Sequence, residues 1–403
     1  MMSEPPREFP PELDDDTADI HFVPPPCQVA CPVGTDVPAY IALIWEGKLE
    51  EAFAAITATN PFSSVCARVC SAPCEPACRR ADSDGALAIR NLKRYVMDRM
   101  GSHRPLAPVA VRREETVAIV GGGPAGLTAA QDLALAGFKV HVYEMSGRLG
   151  GMIAWGIPNF CLPPSVIDQD IERMMARCPG IEVHLDHALG EEITLGELKQ
   201  RHDAVLLAIG ATWGRKLPVP GGDHPRIEDG VGFIHRINAG ERPRLPDKVL
   251  VIGGGDVAVD VARLAVRLGA GEVHMMCLES RQNMPAQDRE IDAIIKESIR
   301  LQNDRLPIEV IAGAEEITVR FVETTGGGLD ADGKLCFEIV EGSEHDLSFA
   351  MVVAAIGQGA ESAELQDKGM MDGDRVRADF DTMRTGETNV FAAGDGAFGG
   401  STI

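Results

Sequence analysis

The 403-residue chain is poor in positive charge. It has 38 lysines and arginines against 61 aspartates and glutamates, which gives a formal net charge of -23 at pH 7. Such a chain repels nucleic-acid backbones and anionic membranes, so neither is an expected partner. The sequence also lacks a run of about 18 apolar residues free of charges and glycine-rich turns, and it lacks a secretory signal at its start. We therefore expect a soluble, cytoplasmic protein without membrane insertion.

A Cys-x-x-Cys pair is absent as well, which argues against a dithiol oxidoreductase of the thioredoxin type and against a disulfide reductase. The ten cysteines are unevenly distributed, and six of them lie between residues 27 and 78. Clustered cysteines in a large cytosolic chain are more often metal ligands than disulfides. The remaining four are expected to be small buried apolar residues: Cys161, Cys178, Cys277 and Cys336.

The first hundred residues predict helices and no strands. Asp36 is a suitable N-cap for the first helix, which begins with a proline in its first turn. The apolar spacing predicts a later helix over 88–100, with Leu92, Tyr95 and Val96 facing inward.

After residue 112 the pattern changes to strand, glycine turn, helix and strand, and this unit occurs twice. The first glycine of such a turn permits its tight geometry, the second lets the backbone approach a pyrophosphate, and the third position allows close packing of helix on strand. The free N–H groups at the helix start then attract phosphates. These positions are Gly121, Gly123 and Gly126 with Glu144 in the first unit, and Gly253, Gly255 and Ala258 with Glu279 in the second. The sequence therefore predicts an α/β protein with two Rossmann-like dinucleotide-binding domains, preceded by an α-helical cysteine-rich domain.

Six longer stretches carry a resemblance to one family. They are VGGGPAG at 120–126, GGMIAWGIP at 150–158, AIGA at 208–211, GGGDVAVD at 253–260, NMP at 283–285 and VFAAGD at 390–395. With them the chain resembles the glutamate synthase small subunit and its relatives, including the N-terminal half of dihydropyrimidine dehydrogenase, over nearly its whole length.

The resemblance implies an FAD site in the first unit and a pyridine-nucleotide site in an inserted domain. The implied domains are an N-terminal arm with a helical Fe–S-type domain at 1–108, an FAD-binding domain at 113–215 plus 356–403, and an NAD-binding domain at 216–355. Glu144 would bind the adenosine ribose of FAD and Asp395 its ribityl chain, while Arg148 and Gly151 would line the flavin side. The implied FAD-binding residues are Gly121, Gly123, Pro124, Ala125, Gly126, Glu144, Arg148, Gly151, Gly210, Gly394 and Asp395.

The second site departs from the NADPH-specific relatives, which place two arginines after the second strand to bind the 2′-phosphate. This chain has Leu278 and Glu279 there. A carboxylate accepts hydrogen bonds from ribose hydroxyls but repels a phosphate, by about 4 kcal/mol for unit charges about 4 Å apart at an effective dielectric of about 20. We therefore expect NADH to be preferred over NADPH, with Arg281 near enough in sequence to relieve part of the repulsion. The implied NAD-binding residues are Gly253, Gly255, Asp256, Val257, Ala258, Glu279, Arg281 and Gly357.

The family's helical domain holds two [4Fe–4S] clusters, but this chain lacks some of the implied ligands. A cysteine pair that precedes Cys27 in relatives is missing, so the cluster that would use Cys27 and Cys78 has lost two of four ligands. Lys93 stands where relatives have a Glu or Gln ligand to the other cluster, and Cys66 is a possible substitute. Two alternatives follow: a single cluster on Cys31, Cys66, Cys70 and Cys74, or a helical domain that has kept its cysteines but holds no cluster.

Two further expectations concern regions outside these sites. His184 and His187 fall in and just after a predicted strand at 181–185, where an odd spacing sends their rings to opposite faces, so we interpret them as a solvated edge. The sequence stops at Ile403, where relatives begin a helix that points at the flavin, so we expect a truncated version of a longer chain.

The leading functional hypothesis is an NADH-oxidising, FAD-containing electron-input subunit. It would pass electrons from NADH through FAD to a partner redox enzyme with its own iron–sulfur clusters, for example a multi-subunit aldehyde oxidoreductase. One alternative is an NADPH-dependent glutamate synthase small subunit, and another is a catalytically silent FAD-holding scaffold. Hydride transfer between cofactors needs no side-chain acid or base, and none is predicted.

Overall fold

The computed structural model of the chain describes residues 23–101, 107–313, 316–329 and 335–400. Most of the predicted N-terminal arm and the last three residues lie outside these ranges. The N-terminal unit is helical, with α1 (Pro26–Val29), α2 (Val37–Trp45), α3 (Leu49–Thr57), α4 (Ser63–Val69) and α5 (Ile89–Met100). Asp36 caps α2 as predicted, because its carboxylate accepts the N–H of Ala39 at 3.1 Å.

The prediction for the last of these helices is right in position and wrong for one side chain. Val96 is fully buried, but Tyr95 is 41% exposed. The tyrosine lies on the solvent side of α5, where the guanidinium of Arg99 sits 3.8 Å from its ring centroid. Val96 faces the core of the unit as predicted, and Met97 faces it in place of Tyr95.

The rest of the chain alternates strands and helices. The first half of it contains β1 (Thr116–Val120), α6 (Pro124–Leu135), β2 (Lys139–Tyr143), α7 (Met152–Trp155), α8 (Pro164–Arg177), β3 (Ile181–His184), α9 (Leu195–Arg201), β4 (Ala204–Leu207), β5 (Trp213–Gly214), β6 (Ile227–Asp229), α10 (Gly230–Asn238), β7 (Lys248–Ile252), α11 (Asp256–Arg267) and β8 (Glu272–Met276). The second half contains α12 (Asp288–Lys296), β9 (Arg300–Gln302), β10 (Arg305–Ala312), β11 (Ile317–Leu329), β12 (Leu335–Ile339), β13 (His345–Phe349), β14 (Met351–Ala354), β15 (Gln358–Gly359), α13 (Ala363–Asp367), β16 (Met371–Asp372), β17 (Arg375–Val376), β18 (Val390–Ala392) and α14 (Asp395–Phe398).

Two five-stranded parallel sheets dominate the topology. The first has the order β3-β2-β1-β4-β18 and the second the order β9-β8-β7-β14-β6. In each, the strand that precedes the glycine turn lies at the centre, where the strand order reverses. Ligands of doubly wound sheets bind at this switch point, outside the carboxyl ends of the strands.

A smaller antiparallel sheet of β10 to β13 packs on the second parallel sheet. The polypeptide passes between the two parallel sheets through β5 and β15, which pair with each other in antiparallel fashion. The second sheet is thus inserted between β4 and β18 of the first. The exact domain limits stay a prediction.

The helical unit docks on the first sheet's helix α8 through a buried charge pair. Asp170 is 0% exposed and accepts the N–H groups of Ser64 and Val65 at 2.8 and 3.0 Å, which satisfies the start of α4. Its other oxygen accepts from Arg173 at 2.7 Å, and Arg173 also donates to the carbonyl of Pro61 at 3.0 Å. The N–H groups at the start of α4 would otherwise be unpaired, and the buried carboxylate of Asp170 would otherwise lack donors. The hydrogen bonds between them therefore meet both needs.

The four scattered cysteines are not uniformly buried as expected. Cys178 and Cys277 are buried in apolar clusters, whereas Cys161 is half-buried and Cys336 is exposed. Cys336 lies on β12, all five residues of which are exposed, so it has no core to enter. Among the described residues there is no helix both long and apolar enough to cross a membrane.

Candidate cofactor-binding sites

The first glycine turn builds a close-fitting backbone cradle at the end of β1. Gly123 precedes α6, and a Cβ added to Gly151 would lie 2.7 Å from the Cα of Gly123. On the other side, a Cβ added to Gly394 would lie 2.7 Å from the Cβ of Ala125. The VFAAGD stretch at 390–395 and the loop around Gly151 therefore both abut the start of α6, although they are far apart in sequence. A larger residue at any of these points would fill space at the start of α6, where the pyrophosphate and the ribityl chain of FAD are predicted to bind.

Glu144 supplies the acidic group of this site. It follows β2 directly, is 5% exposed, and its Oε2 accepts the N–H of Gly122 at 2.7 Å. Its Oε1 accepts the N–H and the hydroxyl of Ser146 at 2.9 and 2.8 Å. The carboxylate is thus held at the edge of the glycine turn, and its contact with an adenosine ribose stays a prediction.

The structure places Arg148 differently from the other members of the predicted set. Its guanidinium donates to the carboxylate of Asp168 on α8 at 2.7 Å and to the carbonyl of Pro164 at 3.4 Å. The side chain is therefore engaged by α8, and contact with a flavin stays a prediction. Gly210 lies closer to the cradle, because a Cβ added to Gly396 would approach its carbonyl oxygen within 2.9 Å.

The second glycine turn repeats this arrangement at the end of β7. Gly255 precedes α11, and a Cβ added to Gly253 would lie 2.2 Å from the carbonyl oxygen of Ala355 after β14. In the first turn, the corresponding Cβ at Gly121 would lie 2.2 Å from the carbonyl of Ala208 after β4. Both turns are therefore pressed against the neighbouring central strand at the switch point of their sheet.

Glu279 lies on this second turn. A Cβ added to Gly254 would be 2.6 Å from its Oε2, just as a Cβ added to Gly122 would be 3.1 Å from Oε2 of Glu144. Its charge, after the dominant effect of burial, helps to raise the pKa of the neighbouring Cys277 thiol to about 12. A carboxylate held in this place is an acceptor for ribose hydroxyls.

The loop that carries Glu279 is fixed from the β11 side. The carbonyl of Gly327 accepts the amide of Asn283 at 2.9 Å and the N–H of Ser280 at 3.3 Å. Arg281 points away and contacts Asp288 of α12 at 3.3 Å. The structure therefore provides no contact through which Arg281 relieves the charge of Glu279. Asp256 accepts the N–H of Gln287 at 3.2 Å, which ties the start of α11 to the same loop region.

The remaining predicted residues lie where the two sheets connect. Gly357 follows β14, and its carbonyl accepts the N–H of Arg215 at 2.9 Å. Val257 and Ala258 form the first turn of α11, in which Ala258 is fully buried against the strands. Pro124 occupies the first position of α6, where its missing N–H leaves no unpaired donor.

Three cysteines and a lysine converge in the helical unit. Cys31, Cys70 and Cys74 are half-buried, and Lys93 is 9% exposed. Burial raises the pKa of Cys74 to about 11, with the neighbouring Cys70 and Cys31 adding to the effect and Lys93 opposing it. Burial also acts to raise the pKa of Cys31. Hydrogen bonds from Thr35 and Val33, together with the positive charge of Lys93, outweigh this effect, so the pKa of Cys31 is lowered.

These residues fit an iron–sulfur cluster in part. Cys31, Cys70 and Cys74 offer soft thiolate donors to one place, and the N–H of Ala72 donates to the sulfur of Cys70 at 3.3 Å. Cys66, the fourth predicted ligand, is buried and donates to the side chain of Asn60 at 3.9 Å. Lys93 brings a positive charge where a fourth ligand would be expected. In the part of the chain that the structure describes, no three cysteine sulfurs lie within 4.8 Å of one another.

Comparison with protein families settles the class. Residues 115–402 match the family model of pyridine nucleotide-disulphide oxidoreductases. The chain belongs to this family. Residues 20–104 match a second model, described as dihydropyrimidine dehydrogenase domain II with a 4Fe–4S cluster. The predicted α/β class, with two Rossmann-like domains after a helical cysteine-rich domain, is confirmed, and the two matches support FAD, a nucleotide and an Fe–S cluster as the cofactors of such domains.

Curated relatives of this oxidoreductase include several subunits of redox enzymes. The β subunit of the NADPH-Fe(3+) oxidoreductase of Geobacter sulfurreducens is 37% identical over 351 residues, which is 85% of this chain and 52% of the relative. The glutamate synthase [NADPH] small chain of Azospirillum brasilense is 32% identical, over 94% of this chain and 83% of the relative. The NAD-dependent dihydropyrimidine dehydrogenase subunit PreT of Escherichia coli O157:H7 is 30% identical, over 94% of this chain and 86% of the relative. The predicted resemblance is therefore confirmed, and the chain spans about half the length of the first of these relatives.

A solved structure supports the fold of this oxidoreductase. FprA of Mycobacterium tuberculosis in complex with NADPH superposes with a TM-score of 0.62 at 20% identity, over 72% of this chain and 81% of that one.

Proposed function

We propose that this chain is the electron-input subunit of a larger redox enzyme, in which NADH is oxidised at the second glycine turn and FAD is held at the first. The observation that carries the proposal is the pair of equivalent turns in one chain, each with a carboxylate lying on it and each at the switch point of a parallel sheet. FAD bound in such a fold accepts a hydride from a reduced nicotinamide and can release the electrons one at a time.

The chain's own residues bind and orient the two cofactors. Glu144 and the backbone around Gly123 would hold the adenosine and pyrophosphate of FAD, and the strand pair β5–β15 would set the second site against the first. Two cavities of the described chain are open to solvent, and neither lies at a glycine turn: one is lined by residues 199–205 with 388 and 389, and the other lies between α2 and the start of α5. We infer that a partner subunit supplies the terminal substrate site.

The preference for NADH rests on Glu279. Its carboxylate lies on the glycine turn beside Gly254, where it would repel a 2′-phosphate, and Arg281 is paired with Asp288 and so does not offset it. The names of the relatives divide on this point, because the Geobacter and Azospirillum proteins are called NADPH-dependent and PreT is called NAD-dependent. Glu279 is the feature of this chain that favours the use of NADH, as in the relative that is called NAD-dependent.

An anaerobic titration of the full-length protein tests the proposal. FAD absorbance is followed while NADH or NADPH is added, and iron is assayed on the same sample. NADH should bleach the flavin at a concentration at least tenfold lower than NADPH, because Glu279 repels the extra phosphate. Replacing both specificity residues, Leu278→Arg with Glu279→Arg, should reverse the preference.

Glu341→Arg serves as the control, since it adds positive charge at an exposed loop of the same domain. It should leave the preference unchanged. An unaltered preference in the double variant would refute the role of Glu279. Absence of bleaching by either nucleotide, with FAD bound, would instead favour the FAD-holding scaffold.

A further inference from the structure

A group of histidines lies on β2 and on the edge strand β3 of the first sheet. His141 on β2 and Glu182 on β3 are neighbours in register, and so are Tyr143 and His184. Neighbouring residues of parallel strands point to the same face, so His141, Glu182 and His184 share one face of the sheet. The expectation that His184 and His187 lie on opposite faces is wrong, because β3 ends at His184 and a turn brings the ring of His187 to 5.9 Å from that of His184.

The potential ligand atoms of these side chains are already gathered. Nδ1 of His141 lies 3.2 Å from Nε2 of His184 and 3.3 Å from Oε2 of Glu182. All three atoms lie within 4.8 Å of one another. Zinc binds imidazole nitrogen at about 2.0–2.1 Å, so two ligands of a tetrahedral ion stand about 3.3 Å apart. The two shortest separations match the edge of such a tetrahedron.

We propose that His141, Glu182 and His184 form a binding site for one divalent transition-metal ion, with Zn²⁺ as the ion that two imidazoles and a carboxylate suit best. Three protein ligands leave a fourth position for water. Within the described residues this is the one group of His, Cys, Asp and Glu side chains with three ligand atoms so close together.

The surroundings prepare the ligands for a cation. Both histidines are partly buried, and Nδ1 of His141 faces Nε2 of His184 across the two strands at 3.2 Å. Lys139 holds Oε1 of Glu182 at 2.8 Å and leaves Oε2 directed at His141. Hydrogen bonds of this kind orient a carboxylate ligand, although the lysine charge also weakens the attraction for a cation.

His202 supports the site without belonging to it. Its two ring nitrogens are engaged by the hydroxyls of Tyr143 and Thr116 at 3.0 and 3.1 Å. Its ring packs 4.7 Å from that of His141, centroid to centroid, and so limits the movement of that ligand.

A metal here would join the edge strand to the strand that presents Glu144. The carbonyl of His184 accepts the N–H of Glu144 at 2.9 Å, one residue beyond the end of β2. An ion bridging β2 and β3 would thus brace the backbone that positions the acidic residue of the FAD site. The inference itself rests on the histidine cluster and not on the proposed function.

Zinc titration of the FAD-loaded, full-length protein tests the site. The protein is dialysed against EDTA, and Zn²⁺ is added in competition with a chromophoric chelator. Because free cysteines are also able to bind zinc, the measured quantity is the difference between the native protein and the variants Glu182→Gln and His184→Ala. Each variant should lose one equivalent of zinc, or bind that equivalent at least tenfold more weakly, while its FAD content stays the same.

Glu272→Gln is the matched control, since Glu272 contacts His274 at 2.7 Å on a strand of the other sheet without a second histidine. It should bind zinc as the native protein does. If His184→Ala fails to retain FAD, Glu182→Gln is decisive, because that side chain is 49% exposed and its loss does not disturb the core. Equal zinc stoichiometry and affinity in the native protein and Glu182→Gln would overturn the proposal.

Discussion

Gly394 is a residue of the first site at which the cradle leaves no room for a side chain. Its φ is +75°, and an added Cβ would lie 2.7 Å from that of Ala125 in the first turn of α6. The replacement Gly394→Ala therefore adds a steric overlap to the strain of a left-handed backbone. We expect FAD affinity to fall at least tenfold, measured as FAD retained after gel filtration and by fluorescence titration of the apoprotein.

Gly373→Ala separates the two effects. Gly373 has a similar φ of +60°, but nothing lies within 4 Å of an added Cβ. This variant should lose about 1 kcal/mol of unfolding free energy, as any left-handed glycine does, and keep its FAD. Equal loss of FAD in both variants would mean that backbone strain, and not the approach to α6, determines the affinity.

Individual residues of the site divide into those that local sequence reveals and those that it does not. The glycines and Glu144 were predicted because they occupy fixed places in one βαβ unit. The metal-binding group was missed, because His141 and Glu182 are 41 positions apart and meet only through strand register. The direction of Arg148 depends on Asp168 of a helix that the loop sequence does not specify.

Among the helices, α4 is held by one buried side chain of another domain. Asp170→Ala would leave the N–H groups of Ser64 and Val65 unpaired and the charge of Arg173 buried without its partner. Removing one partner of a buried ion pair costs about 3–5 kcal/mol. We expect thermal denaturation to show a loss of that order and limited proteolysis to release the helical unit.

Asp168→Ala is the control on the same helix. Asp168 is 49% exposed and pairs with Arg148, and exposed pairs contribute about 0–1 kcal/mol. A comparable loss of stability in the two variants would contradict the importance of burial at Asp170.

Whole helices and strands were easier to predict than their orientation. Strand, glycine turn and helix follow each other within short segments, so both parallel sheets could be read from the pattern. Helix α4 is only seven residues long, and its start is capped by Asp170, more than a hundred residues away, so no local signal marks it. Tyr95 is apolar enough to suggest a core position, yet α5 presents Val96 and Met97 instead.

At the scale of the whole molecule, contacts between the two nucleotide-binding units set their relative position. Asn238 at the end of α10 donates to the carbonyls of Ala154, Trp155 and Ile157 at 3.3, 3.2 and 2.8 Å. Close by in sequence, the thiol of Cys161 contacts Asp260 of α11 at 3.7 Å. The hydrogen bonds of Asn238 do not depend on pH in the physiological range, because an amide does not titrate there. The contact between Cys161 and Asp260 does depend on pH, because it includes a carboxyl group.

Asp260 makes the stability of this interface dependent on pH. Burial, followed by the charges of Glu290 and Asp256, raises its pKa from about 3.8 to about 7. Between these values the unfolded chain releases the proton and the folded chain keeps it. The free energy of unfolding therefore falls as pH rises from about 4 to about 7, and the penalty is fully present above pH 7. Since the side chain is not wholly shielded, we expect about 1–2 kcal/mol between pH 5 and pH 8.

Asp260→Asn should remove this slope, because an amide keeps the acceptor oxygen for Cys161 and has no proton to lose. Relative to the native protein, the variant should gain more stability at pH 8 than at pH 5, as measured by urea denaturation at the two values. The control is Asp292→Asn, which changes an exposed residue of α12. It should alter the free energy of unfolding by the same small amount at pH 5 and at pH 8. An equal effect of Asp260→Asn at pH 5 and at pH 8 would show that the pKa of Asp260 is not raised in the folded protein. In that case Arg263, whose side chain neighbours the same cluster, would be the residue that stabilises its charge.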